Sequence, residues 1–490
     1  MNQFELAKKC FLDGCIFLEA QDFSRAECSF IKSLELMPDR ASTLTNLSAT
    51  QFKLKKYAQA QITAKKAILI EHANAAAYLN LGLIDNELKK YKSAIDFFNI
   101  ALSLNSDYHE VWNNKAVSLH ELKRYEDAIS HFEKALSLKS DYHEAWTNKG
   151  VSLHRLKRYE EAISHFDKAL TLKPDYHEAS LSKGLCLLSK GDFESGLPLY
   201  ESRWYSEKFS EAAGRRFFEK PTWLGVESLR DKTILLYGEQ GLGDFIHFCR
   251  YTKLVSDLGA KVILEAPESL ANLLENLEGV SKLIIKGEVL PFFDYQCPLL
   301  SLPLALNTNI SSIPTDIPYL TANPHKIAEW NLKLGKKSNV RVGVVWSSMS
   351  NFHEDSTRSL KLIDFVKALP LEGFEYICLQ KELKDCDKEF FQAYKNIRFF
   401  GDQLNDFSDT AALIECLDIV ISSCTSIPHL SAALGKDTRV LLSYVADWRW
   451  LIDKEDSPWY PSMKLYRQSI RGDWDSPLLE IKKYLSSLRH

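Results

Sequence analysis

Two short stretches of this chain gather glycine, hydroxyl and charged side chains at spacings that suit an anionic ligand. In the first, Gly238, Gly241 and Gly243 run up to Asp244 within GEQGLGDFIHFCRY. Glycines so spaced let the chain turn sharply and bring backbone N–H groups to a bound group. In the second, Thr425 and Ser426 follow the run DIVISS and open a helical stretch, with His429 one turn in. A helix N-terminus, with free N–H groups and the positive end of its dipole, suits a diphosphate. His429 could reach a phosphate or a sugar from there; equally, it could be a buried structural histidine. Arg358, in WSSMSNFHEDSTRSL, and Lys381, in CLQKE, follow the first and second strands of the same half. Either could neutralise phosphate charge, or be ordinary surface charge. The first glycines run GxxGxG rather than GxGxxG, so the pyrophosphate fingerprint of dinucleotide folds is not met, although Glu265 ends the next strand.

These residues need a scaffold, and the hydrophobic pattern supplies one. From 232 onward, short β-branched runs alternate with helical stretches. They fall at 233–237, 261–265 and 281–285 and, after a Pro-rich segment around 303–324, at 340–346, 374–379, 418–423 and 439–443. Strands alternating with helices predict parallel sheets of the α/β class. Two such groups predict two doubly wound lobes, 232–322 and 323–490, with ligands at the carboxyl ends of the strands. Residues 209–231 precede them, broken by Pro221 and Gly225 and dense in aromatic and basic side chains. They read as a packed connector.

The remainder, 5–208, repeats with a period of 34. Residues 107–140 and 141–174 are identical at 26 of 34 positions. Small residues recur at one site (Gly14, Ser48, Gly82, Ala116, Gly150, Gly184) and at a second (Ala26, Ala60, Ala94, Ala128, Ala162, Gly196). They permit close contact between two antiparallel helices, and Phe98, Phe132 and Phe166 fill the space left. Asn46, Asn80, Asn114 and Asn148 share one position in four consecutive units. Asparagine is a weak helix former, so a repeated one needs a reason. Each amide could bond the neighbouring helix and hold the stack together. Alternatively, the four form a ladder that grips the backbone of an extended peptide, since an amide both donates and accepts. Seven of the thirteen histidines also repeat in this frame. Duplication explains them better than a metal chain does, because stacked helices lie ~10 Å apart.

A net charge of −4 gives no field to hold nucleic acid or an anionic membrane. Ten cysteines without a CxxC pair read as thiols in a reducing compartment. With no signal-like h-region and no apolar run long enough to span a membrane, a cytoplasmic location is expected.

The six 34-residue units resemble the tetratricopeptide (TPR) family, which stacks into an α-solenoid with an extended concave face. The asparagine ladder is similar to one in the TPR arm of the nucleocytoplasmic O-GlcNAc transferases. The strand followed by Gly-x-Gly-Asp resembles the N-terminal lobe of the ADP-heptose-type glycosyltransferases (glycosyltransferase family 9), which have the GT-B fold. DIVISSCTSIPHLSAALGK is similar to that family's strand–loop–helix, with Thr, His-Leu and Ala-Leu-Gly at matching spacing. DWRWLIDKEDSPWYPSMKLYRQ, with the RRFF…PTW…GEQGLGD run before it, resembles bacterial TPR–glycosyltransferase fusions, some of which modify flagellin.

The resemblance implies a GT-B-like pair of Rossmann-type sheets. It implies metal-independent transfer of a sugar from a nucleotide-sugar donor, with no cofactor, to a polypeptide acceptor held in the TPR groove. Asp244 would be the base for the acceptor hydroxyl; its other reading is a helix cap. Gly241, Gly243, Arg358, Lys381, Thr425, Ser426 and His429 would hold the donor and its leaving diphosphate. One departure stands out: Cys424 occupies a place where that family usually has an aspartate to the donor sugar. The sugar class (hexosyl, heptosyl or nonulosonyl) is thereby left open. Two other functions fit the same architecture: a non-catalytic TPR adaptor on a degenerate transferase fold, and a transferase acting on a lipid or glycan precursor.

Overall fold

The computed structural model describes residues 2–206, 216–348 and 355–488. The chain divides into two compact units, one ending at Ser182 and one beginning at Lys183.

The first unit is a row of antiparallel helix pairs: α1 (Gln3–Glu19) with α2 (Phe23–Leu36), α3 (Ala41–Lys53) with α4 (Tyr57–Ile70), α5 (Ala75–Glu87) with α6 (Tyr91–Leu104), α7 (His109–Glu121) with α8 (Tyr125–Leu138), and α9 (His143–Arg155) with α10 (Tyr159–Leu172). A sixth pair, α11 (His177–Lys190) and α12 (Phe193–Tyr200), keeps the 34-residue frame, and the division into units falls inside α11. The small-residue sites explain the pairing. A Cβ on Gly14 would come within 2.6 Å of the Phe30 ring, and one on Gly150 within 2.6 Å of Phe166. In the second pair Ala64 stands where the first, third, fourth and fifth carry phenylalanine and the sixth Tyr200, and Ser48 takes the small-residue site, its hydroxyl donating to the Ala60 carbonyl. The turn inside each pair puts one residue in the left-handed region, at Gln21, Lys55, Lys89, Lys123 and Lys157, then at Gly191. The repeated histidines pack against aromatic rings of their own or the next unit: His120 against Tyr125, His131 against Trp112, His154 against Tyr159 and His165 against Trp146, with His109 on Tyr142 and His143 on Tyr176.

The second unit carries two all-parallel sheets. The first holds β1 (Thr233–Tyr237), β2 (Lys261–Ala266), β3 (Val280–Ile285) and β4 (Tyr295–Pro298) in the order β3-β2-β1-β4. The second holds β5 (Val340–Val345), β6 (Phe374–Cys378), β7 (Ile397–Phe399), β8 (Ile419–Ser423), β9 (Asp437–Leu442) and β10 (Met463–Arg467), in the order β10-β9-β8-β5-β6-β7. The repeat unit followed by α/β sheets is therefore the architecture the sequence predicts. Counted from its own first strand, the second sheet runs 3-2-1-4-5-6, the Rossmann order, and the first sheet is its 3-2-1-4 part. The order reverses between β1 and β4, and again between β5 and β8. Those two points are where ligands bind in such folds.

The described part of the connector is packed rather than loose. Trp223 is buried and its N–H donates to the Gln296 carbonyl of β4, while the Gln296 N–H donates to Pro221. Residues 209–215 of the predicted connector lie outside the described residues.

Candidate functional site

β1 ends at Tyr237, and four residues later Gly241 caps the helix Leu242–Phe248. Asp244 is the third residue of that helix. Its Oδ2 accepts the Gly241 N–H at 3.2 Å, a bond back from the first turn to the N-cap backbone. Its Oδ1 lies 2.6 Å from Nη2 of Arg449, an ion pair between the two lobes. Arg449 belongs to the turn Trp448–Trp450 that follows β9, and it is buried. Asp447 accepts both the Arg449 N–H (3.0 Å) and its Nη1 (2.7 Å). The Phe248 and Trp448 rings cover the guanidinium at 5.0 and 4.8 Å. About a quarter of the Asp244 side chain, 23%, stays accessible. Burial pushes the Asp244 carboxyl above the ordinary value, Arg449 pulls it back, Asp447 opposes that pull, and the Gly241 N–H and Arg358 lower it further.

The second lobe answers with its own helix N-terminus. β8 ends at Ser423, and Thr425 caps the helix Ser426–Ala433 by accepting the Ile427 N–H. The two helices meet closely: a Cβ on Gly243 would stand 3.2 Å from the Ser426 Cα and 3.3 Å from the His429 Cδ2. Gly243 is thus small because a neighbouring helix lies against it. Behind that contact His247 and His429 are both buried, Nδ1 to Nδ1 at 3.1 Å, with the Tyr460 hydroxyl 3.2 Å from His429 Nδ1. Burial, then the charge of Arg250, holds His247 well below the ordinary histidine range; burial, then Arg449, does so for His429. Of the two readings of His429, the buried histidine is the one these contacts describe. Arg250 locks the joint, donating to the Trp459 (2.7 Å) and Pro314 (3.1 Å) carbonyls and to the Tyr319 hydroxyl (3.1 Å).

Asp244, Gly243, Ser426 and His429 therefore come together, with Gly241 and Thr425 capping the two helices that carry them. Arg358 ends the short helix Asp355–Arg358, and its charge acts on both Asp244 and Cys424. Cys424 accepts the Trp450 indole N–H at 3.2 Å, and burial pushes its thiol up to about 11, far from a reactive thiolate. Lys381 is exposed at the end of β6 and donates to the Asn405 carbonyl at 3.3 Å; among the described contacts nothing ties it to the Asp244 group. Glu265 is paired with Arg216, so the carboxylate that ends β2 is occupied. Two Asp-x-Asp spacings occur. Asp387 is buried and accepts from Trp346 Nε1 and Leu362 N, while its mate Asp385 is exposed on Lys388. Asp473 accepts the Asp475 N–H in a local turn.

Sequence reasoning missed Arg449, Arg250, Tyr460 and the buried pair of Arg203 with Glu239 (2.8 Å) that underlies the Gly238–Gly241 turn. Burial pushes Glu239 up to about 7 against the pull of Arg203. One signal was legible: an arginine set between Trp448 and Trp450 has aromatic neighbours that favour burial.

In the first unit the repeated asparagines differ in what they hold. Asn80 is buried and its Nδ2 donates to the Thr45 carbonyl of the preceding pair at 2.9 Å. Asn148 reaches Asn113 at 3.3 Å, and Asn46 reaches the Cys15 sulfur at 3.6 Å, each one pair back. Asn114 turns to the Glu110 carbonyl of its own helix at 2.8 Å. The amide nitrogens of three of the four thus join neighbouring pairs.

Residues 75–108, 109–142 and 143–176 match the tetratricopeptide repeat family. The repeats are tetratricopeptide repeats. The chain is 26% identical over 316 residues to Protein FlbA of Caulobacter vibrioides, a match over 59% of this chain, and it spans about half (52%) of that curated relative. Among solved structures it is similar to pilF of Pseudomonas aeruginosa, at 19% identity over 43% of this chain and 97% of that one, with a TM-score of 0.38. It is also similar to the TPR protein TTC0263 of Thermus thermophilus, at 19% identity over 37% of this chain and 99% of that one, with a TM-score of 0.35. No helix among the described residues is long and apolar enough to cross a membrane. The Asn80, Asn148 and Asn46 bonds are thus bonds between successive tetratricopeptide units.

Proposed function

We propose that the second unit is a GT-B-like glycosyltransferase that uses a nucleotide-sugar donor, and that the tetratricopeptide unit recruits its polypeptide acceptor. One observation carries this reading. The Gly241–Asp244 turn of one doubly wound sheet and the Thr425-capped helix of the other meet where both strand orders reverse.

In the proposed reaction Asp244 takes the proton of the acceptor hydroxyl as its oxygen bonds to the sugar's anomeric carbon. The bond from that carbon to the nucleoside diphosphate breaks, and the diphosphate leaves with the electron pair. The N-terminus at Thr425–Ser426 and the charge of Arg358 stabilise the negative charge that develops. The resting geometry leaves Asp244 partly accessible, as a base needs. Asp244→Asn keeps an oxygen for the Gly241 N–H and removes the base, so it should leave the fold intact and abolish transfer. Turnover retained by a folded Asp244→Asn protein would sink the assignment.

The adaptor reading has one observation in its favour: both Asp244 oxygens are already engaged, by Gly241 and by Arg449. A protein that binds no nucleotide would leave that reading standing.

A further inference from the structure

Asp244 and Arg449 are 205 positions apart, on different lobes, and nothing in either local sequence announces the other. Arg449 is built into its place. Asp447 holds one edge of the guanidinium, the Phe248 and Trp448 rings lie 5.0 and 4.8 Å from it, and it is almost wholly removed from water. An arginine stays charged under such conditions. Nη2 stands 2.6 Å from Asp244 Oδ1 as an ion pair, yet Nε and Nη2 have no aligned hydrogen-bond acceptor among the described residues. The group therefore acts on Asp244 chiefly as a fixed positive charge. Asp447, which shares that charge, keeps 41% of its side chain accessible.

We propose that Arg449 is a positioning residue for Asp244: the Asp447–Leu451 turn, docked on the first-lobe helix, holds the Asp244 carboxylate ionised and oriented, and Asp447 sets how much of the arginine's charge reaches it. The catalytic consequence rests on the reading of Asp244 as the base; the placement does not. Joining the lobes and preparing the carboxylate are then one event, because the same ion pair does both.

Arg449 and Asp447 act on Asp244 in opposite directions, and this provides the test. The probe is carbodiimide labelling of carboxyl groups on the full chain across a pH series, read at the Asp244 peptide by mass spectrometry. The exposed Asp385 serves as internal reference. Arg449→Met removes the charge and should move the Asp244 labelling midpoint to higher pH. Asp447→Asn frees the arginine's charge for Asp244 and should move the midpoint to lower pH. Arg449→Lys should restore part of the wild-type position. Loosening of the fold exposes Asp244 and lowers its raised midpoint, so the upward shift in Arg449→Met is the one that loosening cannot produce, and the downward shift in Asp447→Asn counts where its unfolding curve matches the wild type's. With a donor in hand, Arg449→Met should lower kcat by at least about tenfold while KM for the donor changes little. Unmoved midpoints in both Arg449→Met and Asp447→Asn would overturn the proposal. Absence of transfer by the wild type would refute the transferase reading instead, and the labelling arm would still decide the role of Arg449.

Discussion

His247 of the first lobe and His429 of the second face each other Nδ1 to Nδ1 at 3.1 Å, both buried. A bond between two such nitrogens needs one ring to donate and the other to accept, so the accepting ring must be neutral and both cannot be protonated. Burial and the nearby Arg250 and Arg449 hold both well below the ordinary histidine range. The sign follows from linkage. Above pH ~6.5 neither the folded nor the unfolded chain is protonated at these sites, and the pair's contribution is intact. As pH falls below that value the unfolded chain binds protons that the folded one refuses, so stability is lost, by up to about 1.4 kcal/mol per pH unit for each ring. Glu239, pushed up to about 7, contributes the opposite slope between ~4.5 and 7. His247→Gln keeps a polar side chain without a titrating ring. Denaturant unfolding between pH 7.5 and 5.5 should show the wild type losing more stability than this variant. Parallel curves would contradict the neutral pair.

The lobe contact predicts a sharp difference between two neighbouring glycines. At Gly243 an added Cβ already presses on the Ser426 backbone, whereas at Gly241 it would meet only the Asp244 Oδ2, at 3.6 Å. Gly243→Val should lower the stability of the full chain by about 1–3 kcal/mol, and Gly241→Ala should change it little. Thermal unfolding of the two variants side by side measures this. Equal effects would mean that the helices do not touch at Gly243.

The asparagines of the repeats should separate in the same way. Asn80→Ala removes a buried amide bonded to the Thr45 carbonyl, and should cost about 1–3 kcal/mol. Asn114→Ala removes a bond within one helix, and should be close to neutral or slightly stabilising, because alanine is the better helix former. Urea unfolding curves compare them. A neutral Asn80→Ala would return the amide ladder to its peptide-gripping role.

Much of this was legible in the chain itself, for physical reasons. The 34-residue frame shows because each unit must bury the same small-against-large contact, as at Gly14 with Phe30 and Gly150 with Phe166. Seven strands show because each is an apolar or β-branched run, as parallel strands covered on both faces must be, and the edge strand β3 keeps the run although much of it is exposed. β4, β7 and β10 do not: YQCP ends in proline, IRF has three residues, and MKLYR alternates at the sheet edge. That a helix opens near Asp244 and another at Thr425 was visible because helix starts are local, although the N-cap of the first is Gly241 and not Asp244. The partner of Asp244 was not, since an ion pair between residues 244 and 449 leaves no mark at either place except the tryptophans flanking the arginine. Gly243 and His429 illustrate the converse. Their types suited a ligand, and the structure sets them against each other.

The central claim is that a nucleotide-sugar donor binds where the two sheets meet. Thermal unfolding of the full chain with UDP, ADP, GDP and CMP and their sugars tests it most directly. A ligand at about 100 times its Kd adds about 2.7 kcal/mol to the state that binds it, so one nucleotide family should raise the melting temperature by several degrees, and Thr425→Val should weaken that shift. A melting temperature that none of the four families moves would contradict the account and leave the α/β unit as a scaffold for its tetratricopeptide repeats.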